Sequence, residues 1–600
     1  MTESVDAPKS DLTADPAKAP SITGAALLRE TAPFLLLLFV LGVWQHISFS
    51  YSVGELAFFK NGYDEDTYFL NPFGLAGWRP DRVLSGTVAT VLIALSNGSY
   101  NIPFMVFDAI FPPLIFAAAY FAGSTLFRDR PARALFALAL MFSSDLFSLG
   151  SVASFPGPFP TLAQFARIVG EAHVPPIETS YLSIYRSPEP QAAFFIGYVF
   201  IGLLLQISLG RGVFGSKART VGLIAVQLLM LCCYAIVSYP LLLIEGAIAV
   251  LLLIEGRRRE AFLLAGLCAL SIAAMVISAR MTLGPSTTAI FASRVPVIAV
   301  STVLALALAI TISIFFLRDR KIRPQLAVAM AFALMPLALT NQQILTGAMI
   351  SVKDWERSIN LAFVVVSAGI LLSTLNWRLR GSQWAIGATI ILVAAFVSVA
   401  SVRTYRMWLP DNQKSLAIAR AIQAAQSDLG KDVRWVLYQP EYAPWVEARL
   451  RPQPGHKFNP LIDYTETFKS APSPTSGFSP SHLSASLFEF WRQTAVSPEA
   501  ARNILVAEAR ARSGYYSAFL FSVCEYWSPC TDGRHVQTDK IMAATPSVVD
   551  AYAAYLGTPQ PPTKLAFVGL DLKSPANSIL IGTGQVGNFL ASAVVRNPDR

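Results

Sequence analysis

Charge is scarce in this chain. Only 14% of its 600 residues are Asp, Glu, Lys or Arg, against about 25% in soluble domains. The deficit is concentrated rather than spread, because apolar runs of about 16 to 25 residues recur from Pro33 to Val402. Runs of that length suit a bilayer core and exclude a wholly soluble protein. Histidine is scarcer still. The five present form no HExxH or similar pattern, so no zinc site is expected and none of the five is assigned as a metal ligand. No P-loop occurs, and no GxGxxG follows a strand. The GTGQVG at Gly582 to Gly587 lies too near the chain end for a βαβ unit and reads as a turn. The formal charge of +9 could suggest nucleic acid. Its basic residues, however, sit in short clusters between apolar runs, the pattern of topology signals facing anionic headgroups.

What is present is a polytopic α-helical membrane protein of about eleven spans, followed by a soluble domain. Residues 1–28 are rich in Ala, Pro, Ser, Asp and Lys and are expected to be a disordered cytoplasmic N-terminus. The multi-span domain covers 29–402. Its spans are expected at 31–50, 102–127, up to 149, 191–209, two within 220–256, up to 279, 295–317, 325–340, 359–375 and 384–402. Ser238, Tyr239 and Pro240 suggest the hairpin that divides 220–256. Residues 82–95 are too few to span. Val83, Leu84, Val88, Val91, Leu92 and Leu95 share one helical face, so this helix is placed in the interface plane.

Basic clusters follow spans 2, 4, 6, 8 and 10, for example Arg128, Arg130 and Arg133, or Arg257, Arg258 and Arg259. The positive-inside rule puts those loops in the cytoplasm. An odd number of spans then leaves the 403–600 domain outside. That domain reads as a small α/β unit, with strands at Trp435 to Tyr438 and Lys564 to Leu572 and helices near 415–427 and 498–511. In an extracytoplasmic tail Cys524 and Cys530 are a plausible disulfide. Cys232, Cys233 and Cys268 lie in apolar runs and read as buried thiols.

Four sets of residues are candidates for chemistry. Asp64, Glu65 and Asp66 lie in the first outer loop, where a carboxylate suits general-base work on a hydroxyl or oxygen ligation of a metal. The rival reading is solvated loop acids. Arg79 and Arg186 could clamp a lipid phosphate, or could make ordinary headgroup contacts. Asn341, Gln342, Gln343 and Thr346 end span 9 and could line a polar cavity or bond between helices. Asp108, Asp145 and Glu245 are ionisable residues within spans, which are costly in lipid and functional by default. They also fit a transporter with a proton relay. His46 reads as an interface residue.

These features resemble the GT-C superfamily of membrane glycosyltransferases. The resemblance rests on YDEDTYF after span 1, the interfacial helix from Arg82 and the extracytoplasmic tail. It implies sugar transfer from a polyprenyl-phosphate donor to an envelope glycan or lipid acceptor outside the cytoplasm, in a prokaryotic inner membrane, with inversion. Asp64 or Asp66 would be the base, Arg186 and Arg79 would hold the donor phosphate, and the Asn341 to Thr346 patch would help to line the cavity. Metal-using members carry a second acidic motif. Here Glu171, Glu178 and Glu189 are scattered, so no cofactor is expected, with a divalent metal as the lesser alternative. The alternative function is a lipid-linked saccharide transporter or a non-catalytic polysaccharide assembly protein.

Overall fold

The fold is that of a computed structural model. The described residues are 24–53, 82–97, 101–145, 152–154, 182–210, 215–282, 291–349 without 293 and 295, 355–376, 383–425, 433–450, 458–461, 485–511, 535–559, 564–572 and 577–596, with a few isolated positions. The acids at 64–66, Arg79, Cys524 and Cys530 lie outside them.

The chain is a helical membrane protein. Seven described helices are long and apolar enough to cross a bilayer. The helices of the bundle are α1 (Gly24–Val53), α2 (Val83–Leu95), α3 (Asn101–Leu126), α4 (Arg130–Met141), α5 (Gln191–Ser208), α6 (Ser216–Leu231), α7 (Ala235–Ile254), α8 (Arg258–Thr282), α9 (Val300–Arg318), α10 (Arg323–Thr346), α11 (Leu361–Thr374) and α12 (Gln383–Ala425). Helix α3 packs between α1 and α5, α5 leads to α6 and α7, and α7 touches α8 and α10. Helices α9, α10 and α11 form a neighbouring group that meets α4 through α11.

Several boundaries differ from the sequence expectation for physical reasons. The α6–α7 turn falls at Cys232 to Tyr234, not at Ser238 to Pro240, and Pro240 lies inside α7. Ser238 Oγ donates to the Met230 carbonyl at 2.8 Å, which ties the start of α7 to the end of α6. Helix α2 forms as expected but buries Ser85, Gly86 and Ala89. Val91 and Leu95 point outward, 50% and 77% exposed. Small residues let α2 lie close to its neighbours, with Leu84, Val88, Leu92 and Ile93 packed partly against the cores and Val91 and Leu95 left outward.

One end of the bundle is a continuous layer. The backbone N–H of Leu84 in α2 donates to the Cys232 carbonyl at 3.0 Å. Arg82 stacks over the Tyr234 ring. Strand β1 (Val152–Ser154) pairs with β3 (Val297–Ala299), and β2 (Phe291–Ala292) pairs with β4 (Ala348–Met349), both antiparallel. The loops after α4, before α9 and after α10 are therefore stitched together. At the opposite end, arginines cap helix C-termini. Arg257 donates to the carbonyls of Ile207 and Ser208 at 2.6 and 2.7 Å, and Arg323 to Phe316 at 2.9 Å. Arg133 pairs with Glu30 at 2.9 Å while donating to the Phe127 and Arg128 carbonyls. Cations at helix C-termini satisfy orphan carbonyls and oppose the negative dipole end.

Helix α12 runs unbroken through 43 residues, about 64 Å at 1.5 Å per residue. The expected last span and the expected tail helix near Ser415 are one element. A four-stranded sheet, in the order β5 (Arg434–Leu437), β6 (Leu565–Leu570), β8 (Phe589–Arg596), β7 (Ser578–Val586), packs on its C-terminal half. Helices α13 (Ala443–Leu450), α14 (Ala485–Gln493), α15 (Pro498–Ala511) and α16 (His535–Leu556) complete the tail. Trp491 and Tyr552 are fully buried in a second tail core on the other sheet face.

The GTGQVG stretch is strand rather than turn. Gly582 and Gly584 lie in β7, and only Gly587, at φ +56°, belongs to the hairpin. A Cβ on Gly582 would meet the Ala421 carbonyl oxygen at 2.5 Å, and one on Gly584 would overlap the Ala417 carbonyl. The glycines are needed because strand and helix backbones touch, with Ala417, Ala421 and Ala425 spaced four apart on the helix side. The core beneath the sheet also takes in Ala89 of α2 and Phe104 and Phe107 of α3. The tail thus shares its core with the end of the bundle that carries α2.

Candidate functional site

Helices α1 and α3 cross in backbone contact at Gly42. A Cβ there would lie 2.7 Å from the Asp108 carbonyl carbon and 2.9 Å from the Ala109 Cα. One turn further along α1, His46 faces the Asp108 side chain. His46 Nε2 is 2.7 Å from Asp108 Oδ2. Asp108 Oδ1 accepts from Ser187 Oγ at 2.8 Å and from Gln191 Nε2 at 3.1 Å. Gln191 Nε2 also donates to the Ile184 carbonyl at 2.8 Å. His46, Asp108, Ser187 and Gln191 are all fully buried. With Asp108 ionised, Nε2 must carry a hydrogen, because a carboxylate only accepts.

This network joins three chain segments. α1 precedes Asp64 to Asp66 in the sequence. α3 follows α2. The 182–190 turn precedes α5 and carries Arg186, which is half-buried, and Glu189, which is buried. A buried, fully bonded carboxylate is a rigid anchor, since every alternative geometry would leave a charge without donors. Its chemical capacity is to position, because no member reaches solvent.

A second buried carboxylate lies in the same end layer. Residues Glu356–Asn360 form a π-turn ahead of α11. Glu356 Oε1 accepts from the Ser301 backbone N–H at 2.9 Å, and Oε2 accepts from Ser301 Oγ and from Asn360 Nδ2, the latter at 3.2 Å. Ser301 is the second residue of α9, so the carboxylate satisfies a donor at a positive helix end. The 143–145 turn carrying buried Asp145 packs against this π-turn. π-turns recur at functional sites.

The amide patch on α10 is engaged by the protein itself. Asn341 Oδ1 accepts from Val297 N at 2.8 Å and Asn341 Nδ2 donates to Val297 O at 3.0 Å, so the side chain extends β3 like a further strand residue. Thr346 donates to Gln342 at 2.9 Å. Gln343 is fully buried and Gln342 half-buried. Helix α10 continues to Thr346, so these residues occupy its last turns and not a loop beyond it.

Glu245 lies ten residues beyond the first residue of α7. Gln227 Nε2 donates to Glu245 Oε2 at 2.8 Å and approaches Ser271 Oγ at 3.0 Å. Among the described residues, no three His, Cys, Asp or Glu side chains group to hold a metal ion. Sequence reasoning singled out Asp108 but set His46 at the interface, whereas it is fully buried against that acid. It passed over Ser187, Gln191, Ser301, Glu356 and Asn360. The available signal was Gln191 opening an apolar run directly after two acidic or hydroxyl positions and two prolines. No known protein family matches the chain, and no curated protein matches it.

Proposed function

We propose that this protein is a membrane glycosyltransferase of about eleven crossings. It moves a sugar from a polyprenyl-phosphate donor to an envelope acceptor on the extracytoplasmic face. The face in question is the end layer that holds α2, the β1–β3 pair and the tail. The arginine-capped ends are then cytoplasmic, in keeping with the positive-inside rule.

The observation that carries this reading is the anchored Asp108 network. It ties the end of α1 to the 182–190 turn, so that the acidic loop leaving α1 and Arg186 start from one rigid point. Transfer needs that arrangement. A carboxylate, Asp64 or Asp66, takes the proton from an acceptor hydroxyl as its oxygen bonds to the anomeric carbon. The bond from that carbon to the donor phosphate oxygen breaks on the opposite side, and polyprenyl phosphate leaves. Arg186, with Arg79, stabilises the phosphate charge through a guanidinium fork.

The test is transfer from labelled polyprenyl-phosphate sugars by membranes holding wild type, Asp64→Asn or Asp66→Asn at equal protein level. Loss of transfer in one variant with normal expression is expected. Unchanged transfer in both removes this loop as the source of the base. The second reading, a lipid-linked saccharide transporter, is favoured by one observation, the Gln227–Glu245–Ser271 cluster within the bundle. In that case flux is abolished by changes at Glu245 and untouched by those at Asp64 and Asp66.

A further inference from the structure

Among the described residues the Glu245 carboxyl receives a single hydrogen bond, from a neutral amide. Glu245 is fully buried and Gln227 nearly so. Gln227 has two amide hydrogens, and its nitrogen faces Glu245 Oε2 and Ser271 Oγ. Among the described residues, Glu245 Oε1 and Gln227 Oε1 are buried with no hydrogen-bond partner. Reversing the Gln227 amide would place an oxygen against the carboxylate and remove that donor.

Cationic groups on the surrounding elements lie far along the helices. On α6, Lys217 and Arg219 are near the start, and Arg219 is eight residues, about 12 Å, before Gln227. On α8, Arg258, Arg259 and Glu260 are in the first turn and Arg280 near the end. The one cation of α10, Arg323, is its first residue, and α5 has no charged residue. Among the described residues, Cys268 and Glu356 also face α7. Cys268 Sγ donates to the Leu242 carbonyl at 3.2 Å. Glu356, in the π-turn that touches α7, is bound by Ser301 and Asn360. An ionised carboxylate halfway along an apolar helix, with one neutral donor, is costly.

We propose that α6, α7 and α8 enclose a proton-binding site in which Glu245 holds its carboxyl as the neutral acid. One proton removes the charge that a single amide donor leaves largely uncompensated. The uptake is a simple protonation, carboxylate plus H⁺ giving carboxylic acid, with no other bond changed. Release leaves a buried charge whose Oε1 has no donor among the described residues, so the contact of α6 and α8 with α7 loosens whenever the proton leaves. The site stands independently of the transferase reading.

Infrared difference spectra test this on the full chain in lipid vesicles at neutral pH, wild type minus Glu245→Gln. The expected result is a neutral-carboxyl C=O stretch that shifts in D₂O and is missing in the variant. Glu245→Asp, which keeps an acid, should retain the band at a changed frequency and serves if the Gln variant does not fold. Absence of such a band, with only carboxylate bands assigned to Glu245, overturns the proposal. A band that is lost when sodium replaces potassium also overturns it, because the preferred occupant is then a metal cation.

Discussion

Removing His46 should be costly in a way that identifies the charge state of its partner. Asp108 accepts three hydrogen bonds, from His46 at 2.7 Å, Ser187 at 2.8 Å and Gln191 at 3.1 Å. Two of the donors are neutral. If Asp108 is ionised, His46→Ala removes the shortest of these three bonds from a buried carboxylate. Breaking one partner of a buried charged pair costs about 3–5 kcal/mol. A neutral interhelical hydrogen bond in a membrane protein is worth only about 0.6 kcal/mol on average. The two cases differ severalfold, so a double-mutant cycle decides between them. We would measure unfolding of wild type, His46→Ala, Asp108→Asn and the double variant in mixed micelles titrated with SDS. The expected coupling is about 2 kcal/mol or more, with the double variant more stable than His46→Ala, because removing the charge relieves the orphaned site. A coupling below about 1 kcal/mol would refute the anchor argument, since it is the size expected of an ordinary neutral bond.

Gly584→Ala should loosen the sheet from α12. Its Cβ would lie 2.5 Å from the Ala421 backbone nitrogen, which cannot move aside, and overpacking of this kind costs about 1–3 kcal/mol. Faster limited proteolysis of the tail is the readout, and unchanged cleavage contradicts the close approach. In the same tail, Tyr552 is pushed up to about 12, first by burial, then through the balance of nearby Arg492, which lowers it, and Glu489, which raises it. A phenol raised above its unfolded value of about 10 contributes stability that is complete below about pH 10 and lost as pH rises towards about 12. Tail stability should therefore fall over that window. The fall should be smaller in Tyr552→Phe, while Tyr555, also raised by burial, sustains the remainder. A wild-type tail equally stable across the window would contradict this.

Segment-level features were legible along the chain because they depend on local composition. Gln191–Ser208 and Pro498–Ala511 begin and end where apolar periodicity and flanking signals place them. Proline-led hairpin placement failed at Pro240 because membrane helices tolerate an interior proline, so a proline alone does not mark a turn. Glycine-led turn placement failed at Gly582 and Gly584 because a glycine serves close approach as well as tight turning, and only a distant helix distinguishes the two uses.

The sequence by itself determined that the chain is a helical membrane protein with basic clusters at alternate junctions, and it pointed to Asp108, Asp145 and Glu245 as costly intramembrane acids. Hydrophobic length and charge position are properties of short segments, so they need no tertiary information. Only the tertiary structure decided what each acid meets: His46, Ser187 and Gln191 for Asp108, the Gln227–Ser271 pair for Glu245, and Ser301 with Asn360 for an acid that the sequence did not mark, Glu356. The Asp108 partners lie 62, 79 and 83 residues away along the chain. A buried charge is stabilised by whichever donors the packed helices deliver to it, and that delivery is a property of helix crossings, such as the one at Gly42, which no local pattern encodes.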